Sequence, residues 1–72
     1  ISVKQDGNVG IGTTGPDAAA LLDLFSTTKG FLPPRMTTAQ RDAIASPLAG
    51  LIIYNSTTNV LNFHNGSAWG AV

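Results

Sequence analysis

Residues 7–17 read GNVGIGTTGPD and set Gly10, Gly12 and Gly15 in the spacing G-x-G-x-x-G. That spacing offers a choice between phosphate chemistry and backbone packing. A dinucleotide site needs a buried strand running straight into the glycine turn, a helix start facing the pyrophosphate, and an acid on a second parallel strand about 20 residues later. Here Asp6, Gly7 and Asn8 place a turn directly before the glycines, and Pro33, Pro34 and Arg35 stand where the acid should fall. The glycines are therefore read as structural: on a strand they present a face without side chains, where another backbone, of this chain or of a second copy, can approach closely. A phosphate loop is excluded sooner, because Lys29-Gly30-Phe31 has the wrong order and no Gly-Lys-Ser or Gly-Lys-Thr occurs. No cofactor is implied.

Upstream of the glycines, ISVKQ alternates apolar and polar residues, and Asp6-Gly7 supplies the turn before Val9 and Ile11 resume the alternation on one face. Downstream, AAALLDLF is ambiguous. Pro16 and Asp17 suit a helix start, whereas the alternation of Leu22 and Leu24 with Asp23 suits a strand, the reading preferred here. In FLPPRM the two prolines remove two N–H donors and hold the backbone extended, which predicts a strap on a sheet edge. Thr37 and Gln40 stand in capping-box spacing, so TTAQRDAIASP predicts a short helix near 38–45, stopped by Pro47, with Met36, Ala39, Ala43 and Ile44 on its apolar face. GLIIYN, VLNFHN and SAWGAV then read as a three-stranded meander, turned at STTN and at Asn65-Gly66. Leu51, Ile53, Leu61, Phe63 and Trp69 are the expected buried face of that meander.

The 72 residues contain no cysteine, one histidine, and four basic residues against four acidic ones, for a net charge of zero. A chain this short buries only about 60% of its unfolded surface when it folds alone, and without disulfides or a metal its remaining route to stability is association. Dispersed charge gives no basic patch for nucleic acid. The longest apolar runs fall far short of the ~18 residues that span a bilayer, so no membrane insertion is expected. The chain lacks an initiator Met, and Ile1 is read as a cut within a longer protein.

Catalysis needs converging titratable groups, and four separated Asp with one His offer none; no metal-ligand set occurs either. Asp6 and Asn8 lack the remainder of a calcium loop. Tyr54, His64 and Trp69 fall on adjacent predicted strands among Asn, Ser and Thr, an arrangement that suits sugar recognition, although Tyr54 and Trp69 equally suit core or interface anchors. Asn55-Ser56-Thr57 and Asn65-Gly66-Ser67 match the N-glycosylation pattern, which stays bare in a bacterial or viral protein.

The segments GNVGIGTTGPDAAALLDLFSTTKGFLPPRMTTAQRDAI and GLIIYNSTTNVLNFHNGSAW resemble repeats in phage tail-fibre proteins and in fibre-like, mosaic trimeric bacterial adhesins. In that family, segments like GNVGIGTT-P belong to homotrimeric β-shafts, often upstream of endosialidase-type intramolecular chaperones. The chain departs from the usual pattern at Gly15, at Leu24-Phe25 and at His64.

The resemblance implies a mainly β fold with one short helix: a small intertwined homotrimeric fibre module, with a β-shaft segment over 1–17 and a β-meander module over 18–72. It implies a structural or adhesive, non-enzymatic role in host or prey attachment, at the bacterial cell surface or on a virion tail fibre. Two further copies of the chain are the expected partners, with Val9, Ile11, Leu22 and Leu24 as the trimer core. The alternative is a glycan-binding fibre tip that holds a surface glycan or wall polymer with Tyr54, His64 and Trp69.

Overall fold

The computed structural model describes residues 1–5 and 7–72, and the turn position Asp6 lies outside the described residues. The fold is mainly β with one short helix, and the chain divides into two compact units, Ile1–Phe31 and Leu32–Val72.

The first unit is a three-stranded sheet of β1 (Ser2–Val3), β2 (Val9–Ile11) and β3 (Leu22–Leu24), with β2 in the centre. Strand β1 runs antiparallel to β2, as the alternation predicts, and β3 pairs parallel to β2 with Val9 opposite Leu22 and Ile11 opposite Leu24. Parallel neighbours require a crossover connection, usually a helix. Here the connection over 12–21 is an irregular loop held by side chains. Asp23 Oδ2 accepts from the Asp17 amide at 2.9 Å, Asp17 Oδ1 accepts from the Ala19 amide at 2.8 Å, and the Asn8 amide group donates to the Asp17 and Ala18 carbonyls.

Gly10 and Asp23 share the sheet face that this loop covers, and a methyl group on Gly10 would lie 2.9 Å from the Thr13 carbonyl oxygen and 3.2 Å from Pro16. Gly12, at φ +82°, places its Cα where a Cβ would collide with the Phe25 carbonyl oxygen. The chain's own crossover loop and its own Phe25 backbone make a close approach at these glycines.

The second unit is a four-stranded sheet in the order β4 (Arg35–Met36), β5 (Ile52–Asn55), β6 (Val60–His64), β7 (Trp69–Ala71). Strand β4 pairs parallel to β5 at the edge of the sheet, as the Pro33-Pro34 strap predicts. The Tyr54 amide bonds the Pro34 carbonyl and the Ser56 amide bonds the Met36 carbonyl, both at 2.8 Å. The meander β5–β6–β7 is antiparallel throughout. Its first turn is closed by the Thr57 and Thr58 amides on Asn55 Oδ1, and its second by the Ser67 and Ala68 amides on Asn65 Oδ1.

Helix α1 (Thr38–Asp42) begins with the expected capping box: the Gln40 amide donates to Thr37 Oγ1, and the Thr37 amide donates to Gln40 Oε1. It ends earlier than Pro47 would require, because the Ala43 amide splits between the Ala39 and Gln40 carbonyls and the Ile44 amide bonds Arg41, tightening the last turn. Of the residues expected on the apolar face of the helix, Ala39 and Ala43 are exposed, whereas Met36, in β4, and Ile44, past the end of α1, are half-buried; no residue of α1 itself is buried.

The helix docks through polar side chains instead. Thr38 Oγ1 and the Asn55 side chain bond each other, and Arg41 Nη1 donates to Asn62 Oδ1 at 2.9 Å. Asn55 Nδ2 in turn donates to Asn62 Oδ1 at 2.9 Å, joining β5 to β6 inside the covered face.

Candidate self-association surfaces

In a sheet, residues paired across strands share a face and successive residues alternate. Applied to the first unit, the register sets Val3, Val9, Ile11, Leu22 and Leu24 on one face, opposite Gly10 and Asp23. The crossover loop covers the Gly10 face and leaves the other bare: Ile11 is 45% exposed, Leu22 and Leu24 are exposed, and Val9 is half-buried. All four residues expected to form the trimer core thus stand together as two cross-strand pairs on one uncovered apolar face.

The second unit repeats the arrangement. Ile53, Asn62 and Ala71 share a face with Asn55, His64 and Trp69, and α1 lies against it through Asn55 and Asn62. This face is mostly polar yet closed: Asn55 is 1% exposed, and Asn62 and His64 are buried with it. Such a polar core is stable only when its donors and acceptors are paired. Among the described residues every buried side-chain nitrogen and oxygen has a partner. Ile53 is the one aliphatic or aromatic side chain buried there.

The other face carries Ile52, Tyr54, Leu61 and Phe63, with Ile52 48% and Phe63 37% exposed. The expected buried face of the meander is corrected accordingly. Ile53 and Trp69 lie on the covered side, Leu51 is exposed, and Leu61 and Phe63 point to the bare side. The alternation was read in the right period, but the parity of β6 is reversed because Asn62 and His64, both polar, face inward.

The register separates Tyr54 from the two other aromatic residues expected to bind a ligand. His64 and Trp69 pair across β6 and β7, with ring centroids 5.1 Å apart in an edge-on contact at 76°. His64 is buried, and its Nδ1 accepts from the Gly66 amide at 3.0 Å, so the ring is a hairpin brace rather than an open stacking surface. The guanidinium of Arg41 sits 5.5 Å from the Trp69 ring centroid, in cation–π range. Tyr54 lies on the opposite face, its hydroxyl 3.4 Å from Asn59 Oδ1. The three therefore do not form one platform.

Asn55 of the first glycosylation-pattern tripeptide is buried with its amide in hydrogen bonds to Thr38 and Asn62. Among the described residues no group of three His, Cys, Asp or Glu converges. Among the described residues no helix is long and apolar enough to cross a membrane. The hollow lined by Ile1, Ser2, Gly12, Thr13, Thr14 and Phe25 in the first unit is open and holds no titratable side chain.

The network of buried Asn55 and Asn62 with half-buried Arg41 escaped the sequence reading, since Asn beside Ser-Thr-Thr is the signature of a turn. The available signal was that Asn62 and His64 alternate with Leu61 and Phe63 in a strand where one set must face α1.

Each unit thus covers one sheet face from within and leaves apolar side chains of the other face exposed. The chain belongs to the family of the phage tail-like trimerisation region, whose model matches residues 10–72. No curated protein and no solved structure matches it.

Proposed function

We propose that the chain is a structural and adhesive segment of a homotrimeric tail or surface fibre, in which three copies pack Val9, Ile11, Leu22 and Leu24 around a shared axis. The observation that carries the reading is the bare apolar face of β2 and β3, four side chains in two register pairs with no covering element of their own unit. Burying such a face removes apolar area from water at about 25 cal/mol per Å², a gain an isolated copy forgoes. Membership in the trimerisation family supports three as the number of copies.

The segment acts outside the cell, on a virion tail or a bacterial surface, and its contribution to host or prey attachment is to hold the fibre together and space its contacts. Its role is non-enzymatic. A glycan contact, if the fibre makes one here, uses Tyr54 and Trp69 separately, since they occupy opposite faces of one sheet.

Replacing Ile11 with Asp tests the reading, because it sets one carboxylate per copy into the shared face, where burial of an unpaired charge is strongly unfavourable. In melting followed by circular dichroism, the parent chain gives one cooperative transition and the I11D variant loses it or melts far lower. An I11D transition identical to that of the parent would refute the proposed core.

A further inference from the structure

We infer that the β6–β7 turn modifies itself: the Asn65 side chain cyclises onto the Gly66 nitrogen and is hydrolysed to aspartyl and isoaspartyl products, with His64 as the general base. The inference goes beyond the fibre reading and stands whether the chain is single or trimeric.

Asn65 is the one asparagine in the sequence followed by glycine, so the amide nitrogen after it is the least hindered by a neighbouring Cβ. The structure sets around it the groups that a cyclisation needs. The nucleophile is the Gly66 nitrogen, whose N–H donates to His64 Nδ1 at 3.0 Å, within the reach of a general base. As the acceptor of that bond, Nδ1 carries no proton and is free to take one. The electrophile is the Asn65 side-chain carbonyl, whose Oδ1 accepts from the Ser67 amide at 2.8 Å and from the Ala68 amide at 2.9 Å. Two backbone donors at such distances form an oxyanion hole for a tetrahedral intermediate. With Oδ1 held in this way, Nδ2 is the leaving group, and Asn65 is exposed, so water reaches the ring that forms.

The base is fixed by its own contacts. His64 is buried, with its ring edge-on to Trp69. Its amide bonds the Leu51 carbonyl at 2.9 Å, and its carbonyl accepts from the Gly50 amide at 2.7 Å. The turn is closed by the Asn65 amide on the Ala68 carbonyl, with Gly66 at φ +99°.

In the reaction the Gly66 nitrogen forms a bond to Asn65 Cγ while its proton passes to His64 Nδ1. The imidazolium gives that proton to Nδ2, the Cγ–Nδ2 bond breaks, and ammonia leaves. Water then opens the succinimide at either carbonyl, so the net change is hydrolysis of one amide. Both products place a negative charge beside strands β5, β6 and β7, which contain no Asp or Glu, and the isoaspartyl product also lengthens the turn backbone by one methylene.

The test incubates the full chain at neutral pH and follows Asn65 by peptide mapping with mass spectrometry, which detects amide hydrolysis and separates aspartyl from isoaspartyl forms. The synthetic peptide of residues 63–68 is the reference, with the same sequence but no fold. His64→Phe keeps an aromatic ring against Trp69 and removes the base, with circular dichroism reporting whether it folds. The expected result is conversion at Asn65 at least about tenfold faster in the folded chain than in the peptide, with the folded His64→Phe chain falling back toward the peptide rate. A folded chain that converts no faster than the peptide overturns the inference, since the turn then protects Asn65. A folded His64→Phe chain as fast as the parent overturns the role of His64. Should His64→Phe fail to fold, the ratio of parent to peptide decides alone.

Discussion

At Gly12 a single added methyl group would strike the Phe25 carbonyl oxygen, and the backbone stands at φ +82°, where L side chains are strained. Gly12→Ala is therefore expected to destabilise the chain by about 2 kcal/mol or more in urea titration. Gly15→Ala, with open space around its Cα, stays within about 0.5 kcal/mol of the parent. The structural rather than phosphate-binding use of these glycines was legible in the turn that precedes them. Which backbone approaches them was not, because a crossover loop held by Asn8 and Asp23 side chains leaves no periodic signature.

Arg41 and Asn62 are the second case at this scale. Their 2.9 Å bond links α1 to the sheet, while Arg41 also bonds Asp42, an exposed ion pair worth little. Removing either of Arg41 and Asn62 costs about 1–3 kcal/mol. A double-mutant cycle of Arg41→Ala and Asn62→Ala is expected to give a coupling above about 0.5 kcal/mol, whereas Asp42→Asn is close to neutral. Additive losses would remove the bond from the account.

Among the elements, α1 shows what a short helix needs. At five residues it cannot persist in water without its cap and its docking contacts. Thr37→Ala removes the bond to the Gln40 amide and is expected to cost about 0.5–2 kcal/mol by chemical denaturation. A loss indistinguishable from zero would mean that the docking bonds alone define the helix. The start of α1 was legible because Thr37 and Gln40 have no other reason for their spacing. Its end was not, since the shift to tighter bonds at Ala43 and Ile44 carries no capping residue in the sequence. The proline strap and both meander turns follow directly from residues whose backbone preferences are intrinsic, Pro33, Pro34, Asn55 and Asn65. The parity of β6 does not, because hydrophobicity alone places Leu61 and Phe63 inside, whereas Asn62 turns inward to Arg41 and Asn55 and His64 to Trp69 and the Gly66 amide.

For the whole molecule, the low charge, absence of cysteine and surplus of exposed apolar side chains share one cause if identical copies supply what each unit lacks. The resemblance of the glycine and proline segments to fibre repeats points to that family, and the family match over residues 10–72 agrees. Association by mass action makes stability depend on concentration, so the melting temperature is expected to rise on concentrating the chain and to be independent of concentration only if it folds alone.

Sedimentation equilibrium of the unaltered chain, across a dilution series, measures the central claim directly. The account predicts three times the 7.4 kDa chain mass, dissociating at low concentration together with loss of β-structure. A single-chain mass at every concentration, with a cooperative melt that dilution does not move, would contradict it.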